Sequence, residues 1–201
     1  YVVSTLGGPE RKIADAGLGP RFSPDGSVIS YVEDTPYAPG GGHRMFLVSP
    51  EGGAPRPFQP DFGAFRFPAT GPIWSPDGKH LLFHGRRSGQ AGTTDWWVAP
   101  VDGGPAVRTG ALQSLGVLDE IQVPCLWLPR HLIFAAGTTI EGVNLFRAAI
   151  QPKTWKVTGP VEQLTSGPGL KYYVGIADDG NLVLSDLTWV VQIWAADLDP
   201  A

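Results

Sequence analysis

The residues best suited to molecular recognition lie in segments that do not repeat along the chain. Segment 61–67, Asp-Phe-Gly-Ala-Phe-Arg-Phe, places three aromatic rings beside a guanidinium and a carboxylate. Aromatic residues and arginine are enriched among the anchors of protein–protein contacts. We therefore predict that this segment binds a partner through Asp61, Phe62, Phe65, Arg66 and Phe67. The alternative is that its phenylalanines fill the space between packed sheets.

Three further residues are candidates for the same surface. Tyr37 lies in the loop sequence Pro-Tyr-Ala-Pro, and Arg86 and Arg87 form the nearest approach to a basic run. The alternative for the arginines is an ordinary solvated loop pair. The glycine run 40–42 lacks the following Lys-Ser/Thr and helix of a phosphate-binding loop, so we interpret it as a flexible loop.

Neither a catalytic nor a metal-binding constellation is visible in the sequence. It contains no His-Glu-x-x-His, EF-hand or Gly-x-Ser-x-Gly pattern. His80 and His84 face the same way on a predicted strand, but four strand residues span roughly 13 Å, too far to share one ion. We predict no cofactor. A lyase or glycosidase would need converging carboxylates, and the available ones are Asp34, Asp61, Asp95, Asp119 and Glu120.

Composition restricts the classes of partner. The chain has 201 residues and 42% hydrophobic content, which are typical of a folded chain. Its formal net charge is −4, and it lacks the basic stripe of a nucleic-acid-binding protein. Cys125 is the single cysteine, which rules out an internal disulfide or a cysteine-rich zinc site. No apolar run reaches the ~18 residues of a membrane span. We expect neither nucleic acid nor a membrane span.

A repeated turn must position these segments. Segment 71–83 contains Ser-Pro-Asp-Gly followed by apolar residues, and segment 19–31 is an earlier copy, with Asp25 and Asp77 separated by 52 positions. Proline presets φ, aspartate bonds nearby N–H groups, and glycine takes the left-handed conformation, so the pattern predicts a turn between two strands. A worn copy contains Asp179. We interpret Asp25, Asp77 and Asp179 as turn-forming residues.

A second turn recurs in phase with the first. Gly-Gly pairs at 7–8, 52–53 and 103–104 each follow one predicted strand and precede another. Each unit therefore reads strand A, Ser-Pro-Asp-Gly, strand B, loop, strand C, Gly-Gly, strand D. The third unit is degenerate. Its predicted strands A and B lie within 125–134, strand C at 145–150 and strand D at 161–165. The fourth has predicted strands at 172–176, 182–184 and 192–196. We predict that six aromatics form the core between units: Phe22, Trp74, Trp96, Trp97, Trp127 and Trp194.

Four-stranded units with a period of ~40 to 50 residues are typical of β-propeller blades. We predict an all-β fold with about four blades in one domain, divided as 1–17, 18–58, 59–109, 110–166 and 167–201. The unlike segments 33–43, 59–67, 86–95, 113–122 and 137–142 are predicted to be long loops on one face, where recognition is expected.

The pattern resembles the TolB-type propeller repeat, which carries Pro-x-Trp-Ser-Pro-Asp-Gly-Lys, an aromatic strand and Asp-Gly-Gly. Residues 72–109 match it closely, 20–58 well and 115–198 loosely. The resemblance implies a periplasmic platform for protein partners. Related blades form the gating domain of prolyl-oligopeptidase-type peptidases. Residues 151–165 also resemble blade edges of large bacterial proteins in which a propeller follows a kinase or winged-helix domain.

Two functions are compatible with these patterns. The first is a non-catalytic platform for a protein partner or small ligand, periplasmic or otherwise extracytoplasmic, with a cytoplasmic location left open. The alternative is the propeller portion of a serine peptidase whose catalytic domain lies elsewhere. We favour a piece of a six- to eight-bladed propeller over a four-bladed ring, and expect another chain or further segments to cover its edges.

Overall fold

We describe the protein from a computed structural model, which places residues 1–33, 43–64, 71–115, 121–177 and 179–188. Several sequence predictions lie outside these residues: the recognition candidates Tyr37, Phe65, Arg66 and Phe67, the carboxylates Asp34, Asp119 and Glu120, the core candidate Trp194, and the predicted strand 192–196.

β-Strands are the main regular structure of the described chain, which also has one four-residue helix. The first and second repeats contain β1 (Leu18–Phe22), β2 (Ile29–Val32), β3 (Met45–Val48), β4 (Arg56–Phe58), β5 (Phe62–Ala64), β6 (Ile73–Trp74), β7 (His80–Arg87), β8 (Asp95–Pro100) and β9 (Val107–Arg108). The later part contains α1 (Ala111–Ser114), β10 (Ile121–Trp127), β11 (His131–Gly137), β12 (Gly142–Ile150), β13 (Val157–Gln163), β14 (Gly169–Ile176) and β15 (Leu182–Leu187).

The strands form successive antiparallel sheets. The first sheet has the order β1-β2-β3-β4, and the second has β5-β7-β8-β9 with β6 also paired to β7. In the third, β10, β11, β12 and β13 pair in chain order. The pair β14–β15 joins this third sheet through a short parallel pairing with β12 at Gly142 and Val143. The all-β prediction is confirmed, and the arrangement is propeller-like.

The Ser-Pro-Asp-Gly turns form as the sequence predicts. Asp25 Oδ1 accepts hydrogen bonds from Ser23 Oγ at 2.6 Å and Ser27 N at 3.0 Å. Asp77 Oδ1 accepts in the same way from Ser75 Oγ at 2.6 Å and Lys79 N at 3.1 Å. These bonds favour the charged carboxylate.

The same turns show why their glycine and aspartate recur. Gly26 and Gly78 have φ of 74° and 69°, in the left-handed region that glycine enters without a Cβ penalty. Donation from the Ser23 hydroxyl, and then from Ser27, lowers the pKa of Asp25 to about 2. Asp179 also accepts from a residue two positions on, Asn181, at 3.0 Å. The turn-forming interpretation of all three aspartates is confirmed.

Alternation along the strands sends side chains to both faces of the second sheet. Leu81, Phe83 and Trp97 pack toward the first sheet, in one cluster with Met45 and Phe58. Their neighbours Leu82 and Trp96 pack toward the third sheet, in another cluster with Leu132 and Phe134. Because successive side chains of a strand point to opposite faces, a sheet buried on both sides has continuous apolar strands.

Most of the predicted core aromatics are buried between sheets. Trp74, Trp96, Trp97 and Trp127 are each at most 8% exposed. Phe22 is 53% exposed, so its assignment to the core is wrong. It lies at the end of β1 on the outer side of the first sheet, where the described residues provide no neighbouring sheet.

Four of the predicted loops overlap strands: 59–67 contains β5, 86–95 includes the end of β7 and the start of β8, 113–122 includes the start of β10, and 137–142 includes the end of β11 and the start of β12. Residues Phe62–Ala64 form β5, which pairs antiparallel with the end of β7, where Phe62 is opposite Arg87 and Gly63 opposite Arg86. Residues 86 and 87 are therefore the last residues of a strand, and the solvated-loop interpretation of them is wrong. Helix α1 within segment 111–114 was also not predicted.

Candidate functional site

An open groove of about 500 Å³ lies beside the outer strands of the first and second sheets. We call it the Arg87 groove. It is lined by segment 56–62, by Arg87 and Ser88, and by residues 103–106. The groove joins the strand end at β7, the connection from β4 to β5, and the Gly-Gly turn between β8 and β9. It therefore contains three of the predicted recognition residues, Asp61, Phe62 and Arg87.

Arg87 is held in place by aromatic rings. Its guanidinium carbon lies 5.2 Å from the Phe62 ring centroid and 5.8 Å from the Trp97 ring. Phe62 and Trp97 are themselves in edge contact at 4.9 Å. A cation over an aromatic face is attracted by the ring quadrupole, and this orients the guanidinium without using its N–H donors. Arg87 is half-buried, with no ion-pair partner among the described residues.

Arg86 and Arg87 do not act as a pair, because they lie on opposite faces of β7. Phe83 and Arg87 are four positions apart on the strand and share the face toward the first sheet, whereas Leu82 and Arg86 share the face toward the third. The Arg87 groove contains Arg87 and not Arg86. The structure therefore separates two residues that the sequence placed in one site.

Phe62 fulfils the alternative interpretation of its segment. It is 2% exposed and contacts Phe83 edge-on at 5.4 Å, so its ring is part of the core between sheets. The same ring also contacts the Arg87 guanidinium and supports it. Asp61 is exposed, and its backbone carbonyl accepts a hydrogen bond from Ser88 N at 2.7 Å, which continues the pairing of β5 with β7 at the groove.

Two residues that sequence analysis missed join the groove walls. Arg56 Nη2 donates to the carbonyl of Val101 at 3.0 Å, and Gln59 Nε2 donates to the carbonyl of Gly104 at 2.8 Å. Both bonds connect the outer strand of the first sheet to the Gly-Gly turn of the second. The available signal was the recurrence of arginine shortly after each Gly-Gly pair, at Arg11, Arg56 and Arg108.

Asp95, one of the carboxylates considered for lyase or glycosidase chemistry, is a structural residue. Its side chain is 0% exposed and accepts from Arg108 Nε at 2.7 Å and Trp96 N at 2.7 Å. It also accepts from the backbone N–H of Leu112 in α1 at 3.3 Å. A buried carboxylate with this many donors holds elements together and is not presented to a substrate.

The histidines of β7 are likewise not arranged for metal binding. Among the described residues, no group of three or more His, Cys, Asp or Glu side chains could hold a metal ion. Burial lowers the pKa of His84 to about 4, against an opposing influence of the nearby Asp95 carboxylate. His80 lies against the Trp155 ring at 4.7 Å, in the packing between the second and third sheets. Within the described part of the chain, no helix has the length and apolar character needed to span a membrane.

No family model matches the chain, and no curated protein matches it. Among solved structures, it is similar to prolyl oligopeptidase B from Galerina marginata, solved with a 25mer macrocyclization substrate, with a TM-score of 0.48 and 14% identity. The similarity covers 79% of this chain and 24% of the enzyme, so the chain spans about a quarter of that protein's length.

Proposed function

We propose that this chain is a non-catalytic interaction scaffold whose protein partner binds at the Arg87 groove. We further propose that its sheets are TolB-type blades of a six- to eight-bladed propeller in an extracytoplasmic protein. The observation that carries the proposed function is a guanidinium oriented by two aromatic rings beside an open groove. Arginine and large aromatics are the residues that most often dominate the energy of protein contacts.

The scaffold around Arg87 is suited to this task. Its supporting rings, Phe62 and Trp97, are buried in the core between two sheets, and the groove walls are connected by Arg56 and Gln59. A partner would therefore meet a site whose geometry exists before binding, which reduces the entropic cost of association.

The test compares two variants of one strand. Proteins that copurify with the chain from its native host would be identified by mass spectrometry for the unaltered protein, Arg87→Gln and Arg86→Gln. We expect Arg87→Gln to lose at least one specific partner that Arg86→Gln retains, because only Arg87 faces the groove. An identical set of partners for all three proteins would contradict the proposed site.

The comparison reports on binding if both variants fold as the unaltered protein does. Far-ultraviolet circular dichroism and thermal melting would establish that they do. Both residues are half-buried on the same strand, and each substitution removes one positive charge. Loss of the same partner in both variants would also contradict the assignment to the Arg87 groove.

A further inference from the structure

Resting on the proposed function, we infer that the Arg87 groove recognises an acidic side chain, glutamate or aspartate, in an extended segment of its protein partner. Two guanidinium groups, those of Arg56 and Arg87, line the groove against one carboxylate, that of Asp61. The groove is therefore locally positive on a chain whose formal net charge is −4. Charge complementarity of this kind steers an acidic partner to the site and disfavours a basic one.

Arg87 has the donors that a carboxylate requires. Its contacts with Phe62 and Trp97 are made through the faces of the rings, at 5.2 Å and 5.8 Å, and use none of the guanidinium N–H groups. A planar guanidinium offers paired N–H donors that match the two oxygens of a carboxylate. One N–H of the Arg56 guanidinium donates to the Val101 carbonyl, and its other N–H groups can donate to a ligand. A volume of about 500 Å³ accommodates one or two side chains.

The groove offers few main-chain donors, which argues against the two other common ways of binding a peptide. Pro57 and Pro60 in one lining segment and Pro105 in another have no N–H, so strand addition along either segment would lack hydrogen bonds. The N–H groups of Gly103 and Gly104 already donate to Pro100 O at 3.2 Å and Asp102 Oδ1 at 3.4 Å. Capture of a terminal carboxylate by a nest of backbone amides is thus not available here.

The experiment measures fluorescence anisotropy with three labelled probes. The first is an eight-residue peptide of alternating glutamate and glycine with an amidated C-terminus, the second replaces glutamate by glutamine, and the third is a Gly-Ser peptide with a free C-terminus. We expect the glutamate probe to bind the full chain and the other two to bind at least ~10-fold more weakly, because hydrogen bonds to charged groups contribute more than neutral ones. Binding should weaken as salt rises from about 10 mM to 500 mM.

Variants assign the binding to the groove. Arg87→Gln should weaken glutamate-probe binding about 10-fold or more, since it removes the paired charged donors. Arg87→Lys should be intermediate, because a lysine keeps the charge but loses the planar fork. Arg86→Gln, on the opposite face of β7, should change the affinity less than about 2-fold, within the scatter expected of a remote surface change.

The outcomes separate this inference from the function on which it rests. Equal binding of glutamate and glutamine probes, preference for the free C-terminus, or equal effects of Arg86→Gln and Arg87→Gln would overturn it. If partners still depend on Arg87 in copurification while the glutamate probe does not bind, the inference fails and the proposed function survives. If no partner depends on Arg87, the proposed function fails as well.

Discussion

The first and second sheets contain the same Ser-Pro-Asp-Gly hairpin in different surroundings. Asp25 and Asp77 accept equivalent hydrogen bonds within their turns. The aromatic residue just before each turn differs in burial, since Trp74 is 8% exposed and Phe22 is 53% exposed. Trp74 packs on the first sheet and donates from Nε1 to the Arg21 carbonyl at 3.1 Å. Phe22 lines an open groove of about 480 Å³ near the N-terminal segment. The turn is thus a local structure, whereas burial depends on the neighbouring sheet.

The outer strands of the two sheets differ by one inserted residue. Arg56 follows its Gly-Gly pair by three positions and lies opposite Leu47, whereas Arg108 follows by four and lies opposite Trp97. Because the side-chain period of a strand is two, one extra residue places arginine on the other face. Arg56 therefore reaches the next sheet, while Arg108 turns back to the buried Asp95.

The largest expected effect concerns the two aromatics. Trp74→Ala should lower the free energy of unfolding by about 3–5 kcal/mol, since it opens a cavity between sheets. Phe22→Ala should lower it by less than about 1 kcal/mol, because much of the ring is already in water. Urea denaturation of both variants measures the difference. Similar losses in the two variants would show that the outer side of the first sheet is covered in solution.

The second effect concerns the two outer-strand arginines. Arg108→Ala should cost about 1.5–3 kcal/mol, because it removes a charged donor from a fully buried carboxylate. Arg56→Ala should cost about 0.5–1 kcal/mol, since its lost bond is to a carbonyl near the surface. Thermal melting with urea denaturation would rank them. A larger loss for Arg56→Ala would contradict the role assigned to Asp95.

The smallest effect is the pH dependence of the repeated turn. The pKa of Asp25 is lowered from 3.8 to about 2, so the folded state holds this carboxylate ionised where the unfolded state protonates it. Its stabilising contribution is therefore present above pH ~4 and lost as pH falls through about 2. The difference in melting temperature between the unaltered protein and Asp25→Ala should be largest near pH 6 and shrink below pH ~3.

His84 acts in a separate range of the same titration. Its pKa is lowered from 6.5 to about 4, so the unfolded state binds a proton first, and stability falls as pH drops from about 6.5 to 4 in both proteins.

Asp77→Ala should behave as Asp25→Ala does, since the Ser75 hydroxyl lowers the pKa of Asp77 in the same way. A constant difference in melting temperature from pH 6 to pH 2 would contradict the turn interpretation.

More of the fold than of the site could be predicted from the sequence. The repeated turns, the Gly-Gly turns and the strands that flank them could be predicted because each depends on residues a few positions apart. The site depends on pairing between β5 and β7, which are separated by residues 65–79 along the chain. No local pattern showed that Phe62 would lie opposite Arg87, so both were assigned to loops.

The degenerate third repeat shows the same limit. Its strands were predicted from apolar runs. The predictions at 125–134 and 145–150 overlap β10, β11 and β12, whereas the last strand, predicted at 161–165, begins earlier, as β13 (Val157–Gln163). The sequence predicts a longer turn at 151–160 in place of Gly-Gly, but residues 157–160 belong to β13. The remaining turn places Trp155 against Trp127 at 5.5 Å and His80 at 4.7 Å, which the sequence does not predict. That contact joins residues far apart in the chain, and it follows from how two sheets pack.

The amino-acid sequence by itself determined the turns, the strands that flank them and the apolar strands buried on both faces. These features follow from φ preferences, short-range hydrogen bonds and a two-residue period, which act over a few residues. The tertiary structure decided which arginine faces the groove, which aromatic is buried and which carboxylate is structural. Those outcomes depend on register and on the neighbouring sheet, and both are set by contacts between distant parts of the chain.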